Sequence, residues 1–316
     1  MLDLNTNAIV GIVLNENRMK LVEIEPSGEN LYRLTKIAEK QLNFPFNTHA
    51  IAEKAHVHDI ADSLRDVIEK ENFSNQNAAF SLSNNLVVVK KYPIDSGMSE
   101  EEIGDHVKWE VGQFSYSSQD DYIFDYQKLD ERKNEIVVVA VKTMVVQYIR
   151  QLFSSAQIKL KYLDSDIFSA IRAINNNYEM RPGEQSALIC VENSGIQFTL
   201  VEGGFYYYSY HVAFDFEKES SESALSDDII RIISKELKRI IIDNKIGDKI
   251  EDLSRIFIYG ELIKDETLRS LQNIYSVRID RANPFRQLRF AQDVDIDKKI
   301  WSQPETFTVC VGSALR

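Results

Sequence analysis

Two parts of the sequence begin in the same way, with a continuous apolar run followed by alternating stretches, and this repetition limits the possible folds most strongly. A run that is apolar throughout is typical of a central strand, and alternation is typical of strands with one covered face. In the second half, Glu202-Gly203-Gly204 supplies a tight hairpin turn. The segments are Ala8–Leu14, Met19–Ile24 and Tyr32–Leu42 in the first half, and Ser186–Val191, Gln197–Val201 and Phe205–Val212 in the second.

Helical patterns follow the strands in both halves. Apolar residues recur at three- and four-residue spacing from Val57 to Ile68 and along Leu225–Asn244, which predicts one buried face on each helix. A polar break at Asn175–Glu184 separates the halves and predicts a lobe boundary. The 316 residues exceed what one core usually holds. We therefore predict an α/β protein with two related lobes around a cleft.

The charge balance excludes several classes of function. The net charge is -12, from 37 basic and 49 acidic side chains, and no long Lys/Arg run interrupts it. Nucleic acid and direct contact with an anionic membrane surface are therefore disfavoured. The longest apolar runs, such as Ile136–Val141, are too short to span a bilayer, and the N-terminus does not have the pattern of a signal peptide. We expect a cytoplasmic protein.

Residue types that often catalyse reactions or bind metals do not form a recognisable motif. Cys190 and Cys310 each lie in an apolar run, so we expect buried, reduced thiols. His56 and His58 are two residues apart on a predicted helix and do not share a face, which disfavours a zinc site. Ser99-Glu100-Glu101-Glu102 is a capping box that begins a helix, and this explains its carboxylates without acid catalysis.

A tyrosine-rich segment, Tyr206-Tyr207-Tyr208-Ser209-Tyr210, lies within one predicted strand. Strict alternation would place Tyr206, Tyr208 and Tyr210 on one face. Such an aromatic face is typical of a protein interface, but tyrosines also simply suit strands, and the sequence leaves both interpretations open.

Several short segments occur in a characteristic order along the chain. They are Val10-Gly11-Ile12 with Val22-Glu23-Ile24, Met98–Ile103 with Trp109-Glu110, Phe124–Gln127, Val137–Ala140, Leu163-Asp164 with Phe168–Ala173, Ala187–Ile189 and Val311–Arg316. In this order and spacing, over most of its length, the chain resembles the PilM family of actin-like proteins of type IV pilus assembly. It resembles FtsA and the cytoplasmic part of GspL from type II secretion more distantly.

The resemblance implies an actin-like, ribonuclease H-like fold of two lobes with a small α+β insertion in the first lobe. Lobe one would comprise residues 1–93 and 161–180, and the inserted subdomain residues 94–160. Lobe two would comprise residues 181–304, with a reduced outer subdomain because the segment after Phe214 is short. Residues 305–316 would form a helix that returns to lobe one.

The resemblance also identifies the positions of a nucleotide site, and several of them differ from the family pattern. The first hairpin of the family reads Gly-Ile-Asp-Ile-Gly/Ser, whereas this chain has Gly11-Ile12-Val13-Leu14-Asn15. The second reads Val-Asp-Ile-Gly, whereas this chain has Ile189-Cys190-Val191-Glu192. The adenosine motif ends in Gly-Gly, whereas this chain has Tyr259-Gly260-Glu261. The family's Glu-x-x-Lys contact to the nucleoside has no counterpart after Phe214.

These differences predict a pseudo-ATPase. Val13 and Cys190 cannot hold hydrated magnesium as carboxylates do. Glu192 would place a negative charge where a phosphate should lie, and two like charges at ~4 Å repel by a few kcal/mol at intermediate dielectric. We therefore expect no catalytic residues, no metal and no cofactor. The alternative is a shifted register in which other carboxylates, including Glu192 and Glu261, hold ATP with magnesium.

The function that the resemblance implies is scaffolding of an inner-membrane platform for a type IV pilus or for type II secretion. The chain would bind a short peptide of a PilN-like membrane protein and reach the membrane only through that partner. The candidate peptide groove comprises Leu86, Val88, Tyr92, Trp109, Gln113 and Phe114. Two alternatives stay open, namely a functional ATP-binding PilM-like switch and an actin-like interaction module outside pilus assembly. Self-association is also left open.

Overall fold

The computed structural model describes residues 8–29, 31–113, 121–130, 134–216, 222–292, 294 and 296–316. The chain divides into two units. The first contains residues up to 25 together with Lys36–Asp166, and the second contains Pro26–Thr35 and Ile167–Arg316.

The first half of the chain alternates strands and helices much as its hydrophobic pattern predicts. Its elements are β1 (Ile9–Asn15), β2 (Arg18–Gly28), β3 (Leu31–Gln41), α1 (Thr48–Ala52), α2 (Val57–Lys70), β4 (Ala78–Leu82), β5 (Val87–Pro93), α3 (Glu100–Gly112), β6 (Tyr122–Asp130), β7 (Glu135–Lys142), α4 (Thr143–Ser155) and β8 (Leu160–Ser165). A short 3-10 turn, Asn84–Leu86, precedes β5.

The second half begins with a helix and repeats the strand hairpin. Its elements are α5 (Asp166–Asn177), β9 (Gln185–Glu192), β10 (Gly195–Glu202), β11 (Phe205–Ala213), α6 (Glu222–Asp243), β12 (Arg255–Tyr259), α7 (Asp265–Ile274), β13 (Arg278–Arg281), β14 (Arg289–Phe290), α8 (Lys298–Ser302) and α9 (Thr308–Ala314). Two 3-10 turns, Ile250–Asp252 and Pro304–Phe307, complete it.

A six-stranded mixed sheet has the order β14-β3-β2-β1-β4-β8, and β2, β1, β4 and β8 form the main body of the first unit. β1 pairs antiparallel with β2 and parallel with β4, which explains why its apolar run is buried on both faces. On one face, Val10, Ile12 and Leu14 share a core with the apolar stripe of α2 and with α4. The regular spacing of that stripe is what folds α2 onto the sheet.

A small antiparallel sheet, in the order β5-β7-β6, also belongs to the first unit. α3 covers one of its faces, and Ile103, Val107 and Val111 of the helix form a separate core with β7. The small sheet begins at Val87, before the predicted start of the insertion at residue 94. α4, which the prediction placed in the insertion, packs instead into the main core.

The second unit contains a sheet in the order β11-β10-β9-β12-β13, which matches the β3-β2-β1-β4-β8 part of the first sheet strand for strand. α6 and α7 pack on one face around Ile189, Val191 and Phe198. β14 pairs in parallel with the start of β3, within the second unit. This repetition is the structural counterpart of the repeated sequence pattern.

Several elements differ from the sequence-based expectation. The closing helix, predicted over residues 305–316, begins with a 3-10 turn and is α-helical only from Thr308. α1, α8 and β14 have 5, 5 and 2 residues and are too short to show a hydrophobic period.

Candidate functional site

The first segment of the predicted nucleotide site lies in the β1–β2 hairpin of the first unit. Gly11, Val13 and Asn15 are alternate residues of β1, and Val13 pairs directly with Lys20 of β2. Val13 is 9% exposed and Lys20 is 2% exposed. An isopropyl group and a buried ammonium group therefore occupy neighbouring positions, and Val13 has no oxygen that could bind a metal.

The second segment lies in the β9–β10 hairpin of the second unit. The Sγ atom of Cys190 lies 3.7 Å from Oε1 of Glu192. Glu192 pairs with Gly195 across the turn, and Gly195 has a φ of +136°. A Cβ atom at Gly195 would lie 2.1 Å from the carbonyl oxygen of Val212, so only glycine fits this turn.

The two hairpins share one register. In each, a two-residue turn joins the strands, and the residue two positions before the strand end pairs with a residue seven positions later. The same-face positions Val13 and Cys190 are therefore equivalent within their own units. The matched pairs are Val13–Lys20 with Cys190–Gln197, and Asn15–Arg18 with Glu192–Gly195.

The third segment, Gly260-Glu261, lies beside the second. Gly260 has a φ of +112°, and a Cβ atom there would lie 2.3 Å from the carbonyl oxygen of Val191. The amide of Leu262 donates to that same carbonyl at 3.3 Å. The second unit thus brings Cys190, Glu192 and Gly260-Glu261 together at the ends of β9 and β12. Both glutamates are partly exposed.

The candidate peptide-groove residues do not all lie on one surface. Leu86 is 8% exposed and belongs to the main core of the first unit. The side chain of Val88 packs towards α3 in the small core. Leu86 is therefore enclosed by its core, whereas Val88 packs against the small core and stays partly exposed. Phe114, which the prediction also included, lies outside the described residues.

Tyr92, Trp109 and Gln113 lie on β5 and α3. Trp109 is 56% exposed. Gln113 caps the end of α3, where its amide donates to the carbonyl of Glu110 at 3.0 Å, and its side chain is exposed. The ring of Tyr92 meets that of His106 edge-on, with centroids 6.4 Å apart. Burial, with a smaller contribution from the Glu110 carboxylate, raises the pKa of Tyr92 to about 12.

His106 and Glu110 are neighbours of this surface that the sequence-based reasoning missed. Positions 106, 109, 110 and 113 are three or four apart, so they share one side of α3. The spacing of polar residues opposite the buried stripe Ile103, Val107 and Val111 could have identified them. At its beginning, α3 is anchored to β6, because Lys128 forms an ion pair with Glu100 at 2.6 Å.

The tyrosine strand corrects one prediction. The ladder between β10 and β11 shifts between Leu200 and Val201, so Tyr207 is an extra residue on β11. A one-residue bulge reverses the faces that follow it. Tyr208 and Tyr210 accordingly pack towards α6, whereas Tyr206 lies on the other face, with its ring 5.5 Å from that of Phe168. The prediction that all three share a face was wrong.

In the described residues, no group of histidine, cysteine and carboxylate side chains has the arrangement of a metal site. Within the same ranges, the structure contains no helix with both the length and the apolar character needed to cross a bilayer.

A family model described as type IV pilus assembly protein PilM matches residues 11–215. The chain belongs to the PilM family. No curated protein matches it. Among solved structures, a PilM-PilN type IV pilus biogenesis complex is similar with a TM-score of 0.80, 16% identity and 98% of each chain covered. These matches confirm the resemblance and the actin-like fold that the sequence predicted.

Two further structures are similar at a lower level. The cytoplasmic domain of EpsL, an inner-membrane component of the type II secretion system of Vibrio cholerae, matches with a TM-score of 0.52 and 9% identity over 98% of this chain and 95% of that one. The ethanolamine utilization protein EutJ from Carboxydothermus hydrogenoformans matches with a TM-score of 0.50 and 10% identity, over 99% and 91%. At these identities the likeness concerns the fold alone.

Proposed function

We propose that this PilM-family protein is a cytoplasmic scaffold that binds a short peptide of a PilN-like inner-membrane protein. The observation that supports it most is the match over 98% of both chains to a PilM that was solved together with PilN. The protein would then be peripheral to the inner membrane, held there by its partner. The net charge of -12 is consistent with attachment through a partner, because anionic lipid repels a chain of this charge.

The surface for this peptide is the side of α3 that meets β5. Trp109 offers a large exposed ring, and tryptophan is enriched among the residues that dominate binding energy. Tyr92 and His106 form a neighbouring aromatic contact, and β5 is an outer strand of the small sheet. An extended peptide would pair with the backbone of β5 and place an apolar side chain against Trp109.

The proposal includes loss of ATPase activity. Magnesium prefers oxygen ligands, and neither Val13 nor Cys190 supplies one. The side chains at these positions therefore do not fit magnesium-ATP, and the proposed peptide binding does not require it. In the second unit, Glu192 and Glu261 lie on adjacent turns and add negative charge where the family places glycine.

Tryptophan fluorescence can test the peptide proposal. The chain has 2 tryptophans, Trp109 and Trp301, so replacing Trp301 leaves Trp109 as the single reporter. In a Trp301→Phe variant, emission reports on Trp109 alone. A synthetic peptide with the N-terminal sequence of the PilN-like protein of the same organism should change that emission saturably. Trp109→Ala removes this reporter, so its affinity is measured by isothermal titration calorimetry; it should weaken peptide binding about tenfold or more, an effect typical of a central anchor.

Trp301→Ala is the matched control, since Trp301 is 48% exposed and lies in the second unit. It should leave peptide binding unchanged. Equal affinities for the two alanine variants, both folded by circular dichroism, would contradict the proposed surface.

The second candidate function is an ATP-binding switch that uses displaced carboxylates. One observation favours it, namely that Glu192 and Glu261 lie close to the ends of β9 and β12 and are partly exposed. Isothermal titration calorimetry with magnesium and ATP separates the two candidates. The pseudo-ATPase proposal expects no heat of binding, whereas micromolar binding would favour the switch.

A further inference from the structure

β11 differs from the other edge strands of the three sheets. Within the described part of the chain, it alone among the outer strands has no Asp, Glu, Lys or Arg. Its sequence is Phe-Tyr-Tyr-Tyr-Ser-Tyr-His-Val-Ala, and burial lowers the pKa of His211, which favours an uncharged ring at neutral pH. Charged residues at the other edges include Lys90 and Lys91 (β5), Asp125 and Lys128 (β6), Lys161 and Asp164 (β8), Arg278, Asp280 and Arg281 (β13) and Arg289 (β14).

An uncharged edge strand has a physical consequence. Proteins that remain monomeric protect sheet edges with charges, prolines or very short strands, because an outer strand can template pairing with another chain. β11 has 9 residues and no proline. A bulge can also protect an edge, and β11 has one at Tyr207. Among the residues that the structure describes, β10 is the only strand that pairs with β11.

β11 is also held in position by contacts with α6, with the residue that follows α6 and within the strand itself. The hydroxyl of Tyr207 donates to the carbonyl of Asn244 at 3.2 Å. The guanidinium of Arg239 lies 4.5 Å from the ring centre of Tyr210. On the strand itself, the hydroxyls of Tyr206 and Ser209 are 3.0 Å apart. A strand fixed in this way loses little conformational entropy when a partner pairs with it.

The charges that flank the strand are balanced. Arg239 forms ion pairs with Glu236 at 2.9 Å and with Asp243 at 3.2 Å, and Lys235 pairs with Glu236 at 3.2 Å, so two cations face two carboxylates. A second copy that approaches this edge therefore meets no excess of like charge locally. Along the strand itself, self-pairing opposes no like charges in any register, which is the condition that cross-strand pairs must meet.

We propose that β11 is a self-association surface, on which the occupant is β11 of a second copy of this chain, paired antiparallel across a two-fold axis. A two-fold contact uses the same surface on both copies, and two edge strands can form one continuous sheet. The register that pairs the whole strand places Ser209 on the axis. Tyr208 then faces the second copy's Tyr210, and Phe205 faces its Ala213.

Long-range repulsion between two chains of net charge -12 opposes this pairing. The dimer should therefore be weak at low salt and should strengthen as salt screens the repulsion. This surface lies in the second unit, whereas the proposed peptide surface lies in the first. The inference does not rest on the proposed function, and each can fail without the other.

Sedimentation equilibrium of the full chain at increasing protein and salt concentration tests the proposal. We expect a reversible monomer–dimer equilibrium with a dissociation constant of about 10–100 µM at physiological salt. A chain that stays monomeric over that range would overturn the proposal.

Two double variants test the register. Phe205 is 72% exposed and Ala213 is exposed, so neither substitution enters a core. Phe205→Lys with Ala213→Lys places lysine opposite lysine at both ends and should weaken the dimer at least about tenfold. Phe205→Lys with Ala213→Glu places opposite charges there and should restore it. Net charge alone would favour the double-lysine variant, so the expected order cannot arise from it. Equal behaviour of the two would overturn the proposal.

Hydrogen exchange of the wild-type chain provides a measurement that needs no variant. Amides of Phe205–Ala213 should exchange more slowly at about 200 µM than at about 5 µM protein, because pairing protects the strand edge. β13, the short charged edge of the same sheet, is the internal control and should show no change. Protection that is the same at both concentrations on β11 would contradict the dimer.

Discussion

The β1–β2–β3 and β9–β10–β11 segments have the same topology and the same hairpin register, yet they differ in what they bury and in what their outer strands carry. The first hairpin buries a lysine, Lys20, opposite Val13. The second buries an amide, Gln197, opposite Cys190. At the edges, β3 carries charged residues and its start pairs with β14, whereas β11 is uncharged.

The difference shows that topology and surface role are set by different residues. The apolar alternation and the two-residue turns determine the hairpin in both units. The residues that face a ligand or a partner are free to diverge once the turn and core are satisfied. The second unit therefore has a turn at Gly195 that only glycine fits, whereas the matched position in the first unit is Arg18.

The largest expected effect separates the two hairpin turns. Gly195→Ala should lower the free energy of unfolding by about 3–4 kcal/mol, because alanine is strained at a φ of +136° and its Cβ would meet the carbonyl of Val212. Arg18→Ala at the matched position should cost about 0.5 kcal/mol, since its ion pair with Glu39 is partly exposed. Urea unfolding measures both, and equal losses would contradict the account of the turn.

The second effect concerns Val13 and Cys190, the two matched positions of the predicted degenerate nucleotide site. Cys190→Asp places a carboxylate beside Glu192 and should lower the free energy of unfolding by about 2 kcal/mol at neutral pH. Val13→Asp places its carboxylate near the ammonium group of Lys20. Its loss should therefore be about 1 kcal/mol smaller than that of Cys190→Asp. Burial and Glu192 would raise the folded-state pKa of the carboxyl introduced at position 190. Its penalty should therefore shrink as the pH falls through that raised pKa, and it should be small once the pH reaches the unfolded pKa of about 3.9.

Unfolding measured at neutral pH and near pH 4 tests this difference. A penalty at position 190 that does not change with pH would mean that packing, not charge, accounts for it.

A third comparison uses one buried tyrosine of each unit. The hydroxyl of Tyr148 donates to the carbonyl of Ala55 at 2.8 Å, and that of Tyr206 lies 3.0 Å from the hydroxyl of Ser209. Burial is the main reason that the pKa of each is raised from 10.0 to about 12. Both groups therefore stabilise the fold below pH 10, and this contribution is lost as the pH rises from 10 towards 12.

Tyr148→Phe should cost about 1–2 kcal/mol because it leaves a peptide carbonyl without this donor, and Tyr206→Phe should cost about 1 kcal/mol or less. Each variant should also show a shallower loss of stability between pH 10 and pH 12, measured by denaturant unfolding. An unchanged alkaline slope in both variants would show that other groups control it.

The smallest effect is expected at the β3 edge. Lys40 forms a solvent-exposed ion pair with Asp66 at 3.6 Å. Lys40→Ala should change the free energy of unfolding by about 0.5 kcal/mol or less, and less still at high salt. A loss above about 1 kcal/mol in urea unfolding would mean that this charge stabilises the fold, in addition to opposing the pairing of β3 with strands of other chains.

The fold could be predicted from the sequence where long periodic segments determine an element. The prediction failed where a single residue determines the local structure. The apolar run of β1 and the stripe of α2 each required one structure, and both formed as expected. The bulge at Tyr207 has no signal in the alternation of a strand made of tyrosines, so the side-chain faces of β11 could not be predicted.

The candidate site was predictable only in part for a related reason. Val13 and Cys190 could be located because a hairpin register follows from its turn. Leu86 and Val88 were expected to line a groove, yet whether an apolar side chain faces a core or a surface depends on α3 and α4, which lie far along the chain. Such long-range packing leaves little trace in local sequence.

The most direct test of the scaffold proposal is titration of the Trp301→Phe variant with the PilN-like peptide, followed by Trp109 fluorescence, with and without magnesium and ATP. We expect saturable binding with the same dissociation constant in both conditions, because the proposed scaffold binds its peptide at β5 and α3 without a nucleotide. Binding that requires ATP would contradict the pseudo-ATPase scaffold, and no binding in either condition would contradict the proposed peptide surface.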